Sequence, residues 1–198
     1  MMPVPTSPVR VLGAHAAGGN GPDWTSSWSD VVSWLMVMAE AWFGPRDARW
    51  FFTGLEFWEG DVPSTYYPGN RPFHVGIQLT QSAASNPKQA YFQLAHEVVH
   101  LLGPSPTREC ANVLEEGMAT RFQLHISHLV GLGFPITLPS YVHAMGELDK
   151  LLALSPDAVR TIRAVHPDLR HVTDTELMKM VRGVSPELAA SLCGRFVR

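Results

Sequence analysis

Residues 96–100 are His-Glu-Val-Val-His, a spacing typical of zinc binding by a helix. Two histidines four positions apart lie on one face of an α-helix, roughly 6 Å apart along its axis. Both imidazoles can then reach one ion at roughly 2.0–2.1 Å. Glu97 lies beside such an ion, where its carboxylate can take a proton from a water made acidic by the metal and pass it to a leaving amine. The pattern predicts zinc-dependent hydrolysis of a peptide-like amide with Glu97 as general base.

A catalytic zinc site usually takes three protein ligands and keeps one position open, so a further ligand must follow His100. The sequence HEVVHLLGPSP matches the first eight positions of the pattern HExxHxxGxxH. Pro106 stands where that pattern has its third histidine, and a proline side chain cannot bind a metal. The metzincin pattern is therefore excluded, and the third ligand must come from further along the chain.

Residues 112–120, Asn-Val-Leu-Glu-Glu-Gly-Met-Ala-Thr, lie on the next predicted helix. An HExxH motif followed by a helix with a Glu-Gly-x-Ala stretch resembles the gluzincin clan of zinc peptidases, in which the glutamate before that glycine is the third ligand. The resemblance covers residues 73–122. It implies that His96, His100 and Glu116 bind Zn²⁺, with a peptide or protein as the substrate.

Two other glutamates compete for the role of third ligand. The connection after His100 is shorter than in many gluzincins, which leaves Glu115 as the alternative to Glu116. The carboxylate that does not bind metal would accept a hydrogen bond from a histidine N–H. Glu109 is a weaker candidate because a ligand so near the preceding prolines needs a tight return loop. Gly117, which has no side chain, predicts a close approach of its helix to the HExxH helix.

In zincins generally, a strand before the HExxH helix forms the sheet edge and pairs with an extended substrate. The predicted strand 73–80 occupies that place, so the resemblance implies that Val75, Gly76 and Ile77 bind the substrate main chain. Gly76 would admit close backbone approach. The developing oxyanion also needs a hydrogen-bond donor. The candidates are Tyr141 and His143, with Tyr66 and Tyr67 as competitors.

Apolar spacing and turn residues predict the elements that position these side chains. A buried helix begins at Ser26 or Ser29 and ends at Gly44, and an aromatic-rich strand with a bulge or bend at Gly54 follows. A turn-rich loop precedes the strand at 73–80. The predicted later helices are 87–102, one from Thr107 that carries Gly117, and then roughly 140–154, 156–165, 174–182 and 185–195.

This order of elements predicts an α+β protein, and the resemblance implies a zincin-like core with a small mixed sheet and a mostly helical C-terminal part. Residues 1–22 contain many prolines and glycines, which indicates a flexible leader. We assign residues 23–135 to the catalytic core and residues 136–198 to a helical C-terminal subdomain.

Composition excludes several classes of partner. The formal charge of -3 and the pI near 6.3 give no overall attraction to nucleic acid or to an anionic membrane. The sequence has no apolar stretch long enough to span a bilayer and no secretory signal, so a cytoplasmic location is expected. Cys110 and Cys193 are too few for a disulfide framework, and they are either two thiols or one bridge.

Two other functions fit the same residues. The first is a catalytically inactive, zinc-stabilised binding or regulatory module of the same fold, in which a protein side chain fills the fourth coordination position. The second is a metal-free helical interaction protein, which metal analysis of the purified chain would distinguish.

Overall fold

The computed structural model describes residues 28–69, 71–105 and 110–198, and the predicted leader at 1–22 lies outside them. These residues form an α+β protein that is mostly helical, which confirms the predicted class. Eight α-helices lie in the described part of the chain: α1 Trp28–Phe43, α2 Gln81–Ala84, α3 Pro87–His100, α4 Val113–Leu129, α5 Pro139–Leu154, α6 Ala158–Val165, α7 Asp174–Met180 and α8 Pro186–Cys193. A 3-10 helix, Leu169–His171, lies between α6 and α7. The strands are β1 Phe51–Trp58, β2 Ser64–Tyr66 and β3 His74–Thr80.

The three strands form a mixed sheet in the order β1-β3-β2. β1 is parallel to β3, and β2 is antiparallel to it. The register of β1 shifts between Phe52 and Leu55, and Gly54 has a φ of 130° there, which confirms the irregularity predicted at this glycine as a bulge or bend. β2 lies in the segment predicted to be a loop, because three residues are too few to show a strand pattern.

The predicted helices begin and end close to their predicted positions, with one exception, and the short helix α2 was not predicted. α4 begins at Val113 and not near Thr107, because the side chain of Asn112 caps it by accepting a hydrogen bond from the main-chain N–H of Glu115 at 2.9 Å. Residues 106–109 are outside the described part of the chain. The four predicted helices after residue 139 are confirmed to within a few residues.

Gly117 makes a close contact, but its neighbour is α5 and not α3. A Cβ added there would lie 2.5 Å from the main-chain oxygen of Ala144 and 3.1 Å from Cβ of Leu148. Successive helical residues are rotated by about 100°, so a residue that follows Glu116 faces a different neighbour from the glutamate itself. The predicted close packing is therefore present, and the predicted partner helix was wrong.

One hydrophobic core extends from α1 and the sheet through α3 and α4 into α5, α6 and α8. The buried side chain of Arg163 joins α6 to the ends of α1 and α3. Its guanidinium donates to the carbonyl oxygens of Phe43, Gly44, Pro45 and Leu102 at 2.8–3.0 Å. Residues on both sides of the predicted division between 135 and 136 contribute side chains to this core.

Candidate metal centre

Both histidines of the motif lie on a buried face of helix α3. The side chain of Asn86 caps this helix by accepting a hydrogen bond from the N–H of Gln89 at 3.2 Å, and Pro87 occupies its first position. The ring centroids of His96 and His100 are 5.2 Å apart. These residues are only 6% and 7% exposed, so α3 holds two imidazoles side by side inside the protein.

Helix α4 brings a carboxylate to the imidazoles. One oxygen of Glu116 accepts a hydrogen bond from Nε2 of His96 at 3.1 Å. Its other oxygen lies 3.7 Å from Nε2 of His100. Each of the three residues offers one ligand atom, and these atoms all lie within 4.8 Å of one another. The sequence-predicted ligands therefore meet at one point between the two helices.

The chemistry of this group fits a metal ion. Two imidazole nitrogens and one carboxylate oxygen are a known ligand set of catalytic zinc sites, and other divalent transition metals use the same donor types. All three side chains are buried, and buried polar groups are costly unless an ion or hydrogen bonds satisfy them. The distance from Glu116 to His100 is too long for a hydrogen bond. The described residues thus contain a buried group that could bind a metal ion.

Glu115 contacts His100 on the side of the ring that faces away from Glu116. Its Oε1 accepts a hydrogen bond from Nδ1 of His100 at 2.7 Å, on the opposite side of the ring from the Nε2 that faces Glu116. The same oxygen accepts a hydrogen bond from Nη2 of Arg170 at 2.7 Å. Of the two competing glutamates, Glu116 therefore lies in the group that could bind a metal ion, and Glu115 lies outside it and accepts a hydrogen bond from His100. Glu109, the weaker candidate, is outside the described residues.

Charges around the group favour an ionised carboxylate. Burial by itself would raise the pKa of Glu116, but the hydrogen bond from His96 and the charges of His100 and Arg198 lower that pKa to about 2. Burial would lower the pKa of His100, whereas the charge and hydrogen bond of Glu115, with smaller effects from other carboxylates, raise it to about 9. A metal ion bound by this group would therefore have to displace a proton from this histidine.

Two adjacent cavities, which together we call the cleft, open beside the ligands. Their volumes are about 420 and 310 Å³. The larger cavity has an apolar wall formed by α3 and the loop between α4 and α5, which contains Phe92, Phe134, Ile136 and Leu138. The smaller cavity contains the ligand residues together with Ser64 and Thr65 of β2. Both cavities are lined by Pro63, His96, Glu97, Tyr141 and Arg198.

Glu97 lies where the two cavities meet, and it is not part of the ligand group. It is only 4% exposed. Burial raises the pKa of its carboxyl group, and the charges of His100 and His96 offset part of this effect. A carboxylate beside the ligands that borders the cleft is placed to exchange a proton with a molecule bound there.

Tyr141 is the candidate oxyanion donor that the fold brings to the cleft. Its ring meets the ring of His96 edge to face, with centroids 5.5 Å apart, and packs against Phe196 at 5.0 Å. The guanidinium of Arg198 lies 5.5 Å from the Tyr141 ring centroid and forms a side-chain hydrogen bond with this tyrosine. Burial and the charge of Glu116 raise the pKa of Tyr141 to about 12, so its hydroxyl keeps its proton at neutral pH.

The other three candidates do not line either cavity. The ring of Tyr66 covers Gly76, where an added Cβ would lie 2.3 Å from the ring. Tyr67 packs against Trp50, and its hydroxyl accepts a hydrogen bond from the N–H of Ser105. His143 is exposed on α5. The two cysteines are both free thiols, and Cys110 borders the smaller cavity.

The predicted substrate-binding strand is not at the edge of the sheet. Val75, Gly76 and Ile77 belong to β3, which has β1 on one side and β2 on the other. Val75 and Ile77 are also almost completely buried. A peptide cannot pair with a strand whose two edges are already paired, so the predicted edge position of this strand was wrong. The edge strand beside the cleft is β2, through Ser64 and Thr65.

Three parts of the site were missed by reasoning from the sequence: Arg170, Arg198 and β2. Each is far in the chain from residues 96–116, and none belongs to a motif with fixed spacing. Arg170 lies on a 3-10 helix, and Arg198 follows α8. A pattern of local spacing carries no signal for contacts of this kind, because only the folded chain brings them together.

No family model, curated protein or solved structure matches the chain. Among the described residues, no helix combines the length and apolar character that crossing a membrane requires.

Proposed function

We propose that this chain is a zinc-dependent hydrolase of peptide bonds with a zincin-like core. The observation that carries the proposal is the meeting of His96, His100 and Glu116 within 4.8 Å at a buried point, next to a cleft that Glu97 borders. A ligand group, a separate carboxylate and an open cleft are the three parts that metal-assisted hydrolysis needs.

His96, His100 and Glu116 would hold the ion. When bound there, zinc supplies Lewis acidity, which polarises a carbonyl oxygen and increases the acidity of water. Glu97 accepts the proton of the attacking water on its carboxylate and delivers it to the amide nitrogen that leaves. The hydroxyl of Tyr141 donates a hydrogen bond to the oxygen that gains negative charge.

The cleft supports an extended peptide as the substrate. Among the described strands, β2 lies at an edge of the sheet, so its main chain can pair with a peptide without reading its side chains strongly. The larger cavity offers an apolar wall that suits a large apolar side chain of that peptide. We therefore propose that the substrate lies along β2 with its scissile bond beside Glu97.

The test compares the zinc-loaded chain with two isosteric variants, Glu97→Gln and Glu116→Gln. New amino termini are measured by mass spectrometry in a library of unstructured peptides, and zinc content is measured in the same preparations. Glu97→Gln should keep its zinc and lose hydrolysis, because the ligands survive while the base is lost. Glu116→Gln should lose zinc affinity by more than ~100-fold, beyond the usual effect of an outer partner.

A matched control is Glu187→Gln, which removes an exposed carboxylate on α8 and should change neither measurement. A wild-type chain that binds zinc and cleaves no peptide would favour the inactive binding module instead. A wild-type chain without zinc affinity would refute both functions. Full activity in Glu97→Gln would refute the proposed base.

A further inference from the structure

Arg170 contacts the candidate metal centre from the C-terminal part of the chain. Its Nη2 donates a hydrogen bond to Oε1 of Glu115 at 2.7 Å, and both side chains are 6% exposed. The same oxygen accepts the hydrogen bond from Nδ1 of His100, also at 2.7 Å. One carboxylate oxygen thus joins the 3-10 helix, α4 and α3.

We propose that Arg170 is a positioning residue for the metal centre: it fixes Glu115, and Glu115 fixes the ring of His100. The proposal rests on metal binding by the group described above, and it does not depend on which reaction follows. Its consequence is that metal affinity depends on the docking of the segment around the 3-10 helix against α3 and α4.

The guanidinium of Arg170 is itself held in place. Its Nη1 lies 3.3 Å from Oδ1 of Asp168 and 3.4 Å from the main-chain oxygen of Gly103, which follows α3. Oδ1 of Asp168 also accepts a hydrogen bond from the main-chain N–H of Arg170 at 3.1 Å. The rigid fork of an arginine can bind these acceptors and Glu115 at the same time. The charge that faces Glu115 therefore has a fixed position.

The segment that carries Arg170 packs against both ligand-bearing helices. A Cβ added at Gly103 would lie 1.9 Å from the main-chain oxygen of Pro167, so the end of α3 fits closely against this segment. The side chain of Asn112, which caps α4, donates a hydrogen bond to the main-chain oxygen of Leu169 at 2.8 Å. The 3-10 helix is therefore fixed to the same two helices whose ligands it orients.

Removing Arg170 would leave Glu115 buried with His100 as its remaining close polar partner. A buried carboxylate without its counter-charge is unfavourable, and the carboxylate then relaxes away from the position that orients the imidazole. Outer partners of metal-binding histidines typically change metal affinity by ~10–100-fold. Arg170→Lys keeps the positive charge but lacks the forked guanidinium, so it should keep only part of the metal affinity.

Arg163 provides a matched control. It is also 6% exposed and belongs to the C-terminal part of the chain, but it donates its hydrogen bonds to four main-chain carbonyl oxygens, and it affects Glu115 only through its charge. Arg163→Met should lower the stability of the fold without a specific loss of metal affinity. The comparison of Arg163→Met with Arg170→Met thus separates the effect of losing a buried arginine from the effect of losing the contact between Arg170 and Glu115.

The experiment measures zinc dissociation constants by competition with a chromophoric chelator, on the full chain and on folded variants checked by circular dichroism. Arg170→Met should weaken zinc binding by ~10–100-fold, Arg170→Lys by less, and Arg163→Met should bind as the wild type does. In a Glu115→Gln background, Arg170→Met should cause little further loss, because both residues act through one contact. A purely structural role would give additive losses.

The outcomes separate this inference from the proposed function. No zinc binding by the wild type would refute the metal centre itself. Zinc binding by the wild type with equal affinity in Arg170→Met would overturn the role of Arg170 and leave the metal centre standing. If Arg170→Met does not fold, Arg170→Lys decides the question in the same cycle with Glu115→Gln, and additive losses there would overturn the inference.

Discussion

Two of the sets of residues that line the cleft are held in different ways. The helix wall comes from α3, α4 and α5 and consists of His96, Glu97, His100, Glu116 and Tyr141. The assembled wall comes from β2 and the segment after α8 and consists of Ser64, Thr65, Phe196 and Arg198. The residues of the helix wall belong to long helices that pack into the core. The assembled wall depends on a three-residue strand and an isolated bridge between Asn112 and Arg195.

Under the proposed function, this difference predicts separate roles for the two walls. Chemistry needs side chains fixed within fractions of an ångström, which packed helices provide. Contact with a varied peptide needs main-chain groups and adaptable side chains, which an edge strand and a terminal segment provide. We therefore expect changes in the helix wall to affect metal binding or kcat strongly, and changes in the assembled wall to affect KM weakly.

After the loss of hydrolysis expected in Glu97→Gln, the next largest effect is expected at Tyr141, which would also act in chemistry without binding metal. Tyr141→Phe removes the hydroxyl and keeps the ring that packs against His96 and Phe196. Loss of an oxyanion donor typically lowers kcat by ~10²–10³-fold, so a decrease of this size is expected in steady-state peptide cleavage. The zinc dissociation constant should not change, because the ligands remain.

Tyr66→Phe is the control for this prediction, because Tyr66 lies on β2 over Gly76 and does not line the cleft. It should leave kcat unchanged. Equal kcat values for the wild type and Tyr141→Phe would show that the helix wall supplies no oxyanion donor at this position.

A smaller effect is expected from the packing that supports the helix wall. Gly117→Ala would place a methyl group 2.5 Å from the main-chain oxygen of Ala144, so α4 and α5 must move apart. Overpacking of this kind typically costs ~1–3 kcal/mol in the free energy of unfolding. Urea denaturation followed by circular dichroism would measure the loss.

Gly146→Ala, on α5, is the matched control. No atom lies within 4 Å of a Cβ added at Gly146, and alanine is favoured over glycine inside a helix by roughly 0.5–1 kcal/mol. The two substitutions should therefore change stability in opposite directions. A neutral or stabilising Gly117→Ala would mean that the helix wall is less closely packed than its geometry indicates.

The helix wall is also the part of the site that the sequence predicts well. The spacing of His96 and His100 follows the helical period, so it specifies their common face without knowledge of the fold. The capping residues Asn86 and Pro87 mark where that helix begins. The helices after residue 139 were predicted for the same reason, since their proline and serine starts are local signals.

The assembled wall could not be predicted in this way. Val75 and Ile77 lie on a strand that was correctly located, but whether a strand is central or at an edge depends on its neighbours. The neighbour that pairs with its second edge is β2, which is too short to show an alternating sequence pattern. Gly117 is a similar case, because its lack of a side chain predicts a close contact without specifying which helix makes it. Arg198 reaches the cleft only through tertiary packing.

The smallest effect is expected at Arg198, in the assembled wall. Its side chain is exposed and its guanidinium borders both cavities, where it suits a carbonyl or carboxylate oxygen of a bound peptide. Exposed charge contacts contribute ~0–1 kcal/mol, so Arg198→Ala should raise KM by no more than about fivefold, with kcat changed less than KM. Arg195→Ala removes a neighbouring exposed charge that does not line either cavity and keeps the main-chain bridge to Asn112, so it should leave KM unchanged. A loss of kcat in Arg198→Ala as large as that in Tyr141→Phe would mean that both walls take part in the chemistry, and the division between them would be wrong.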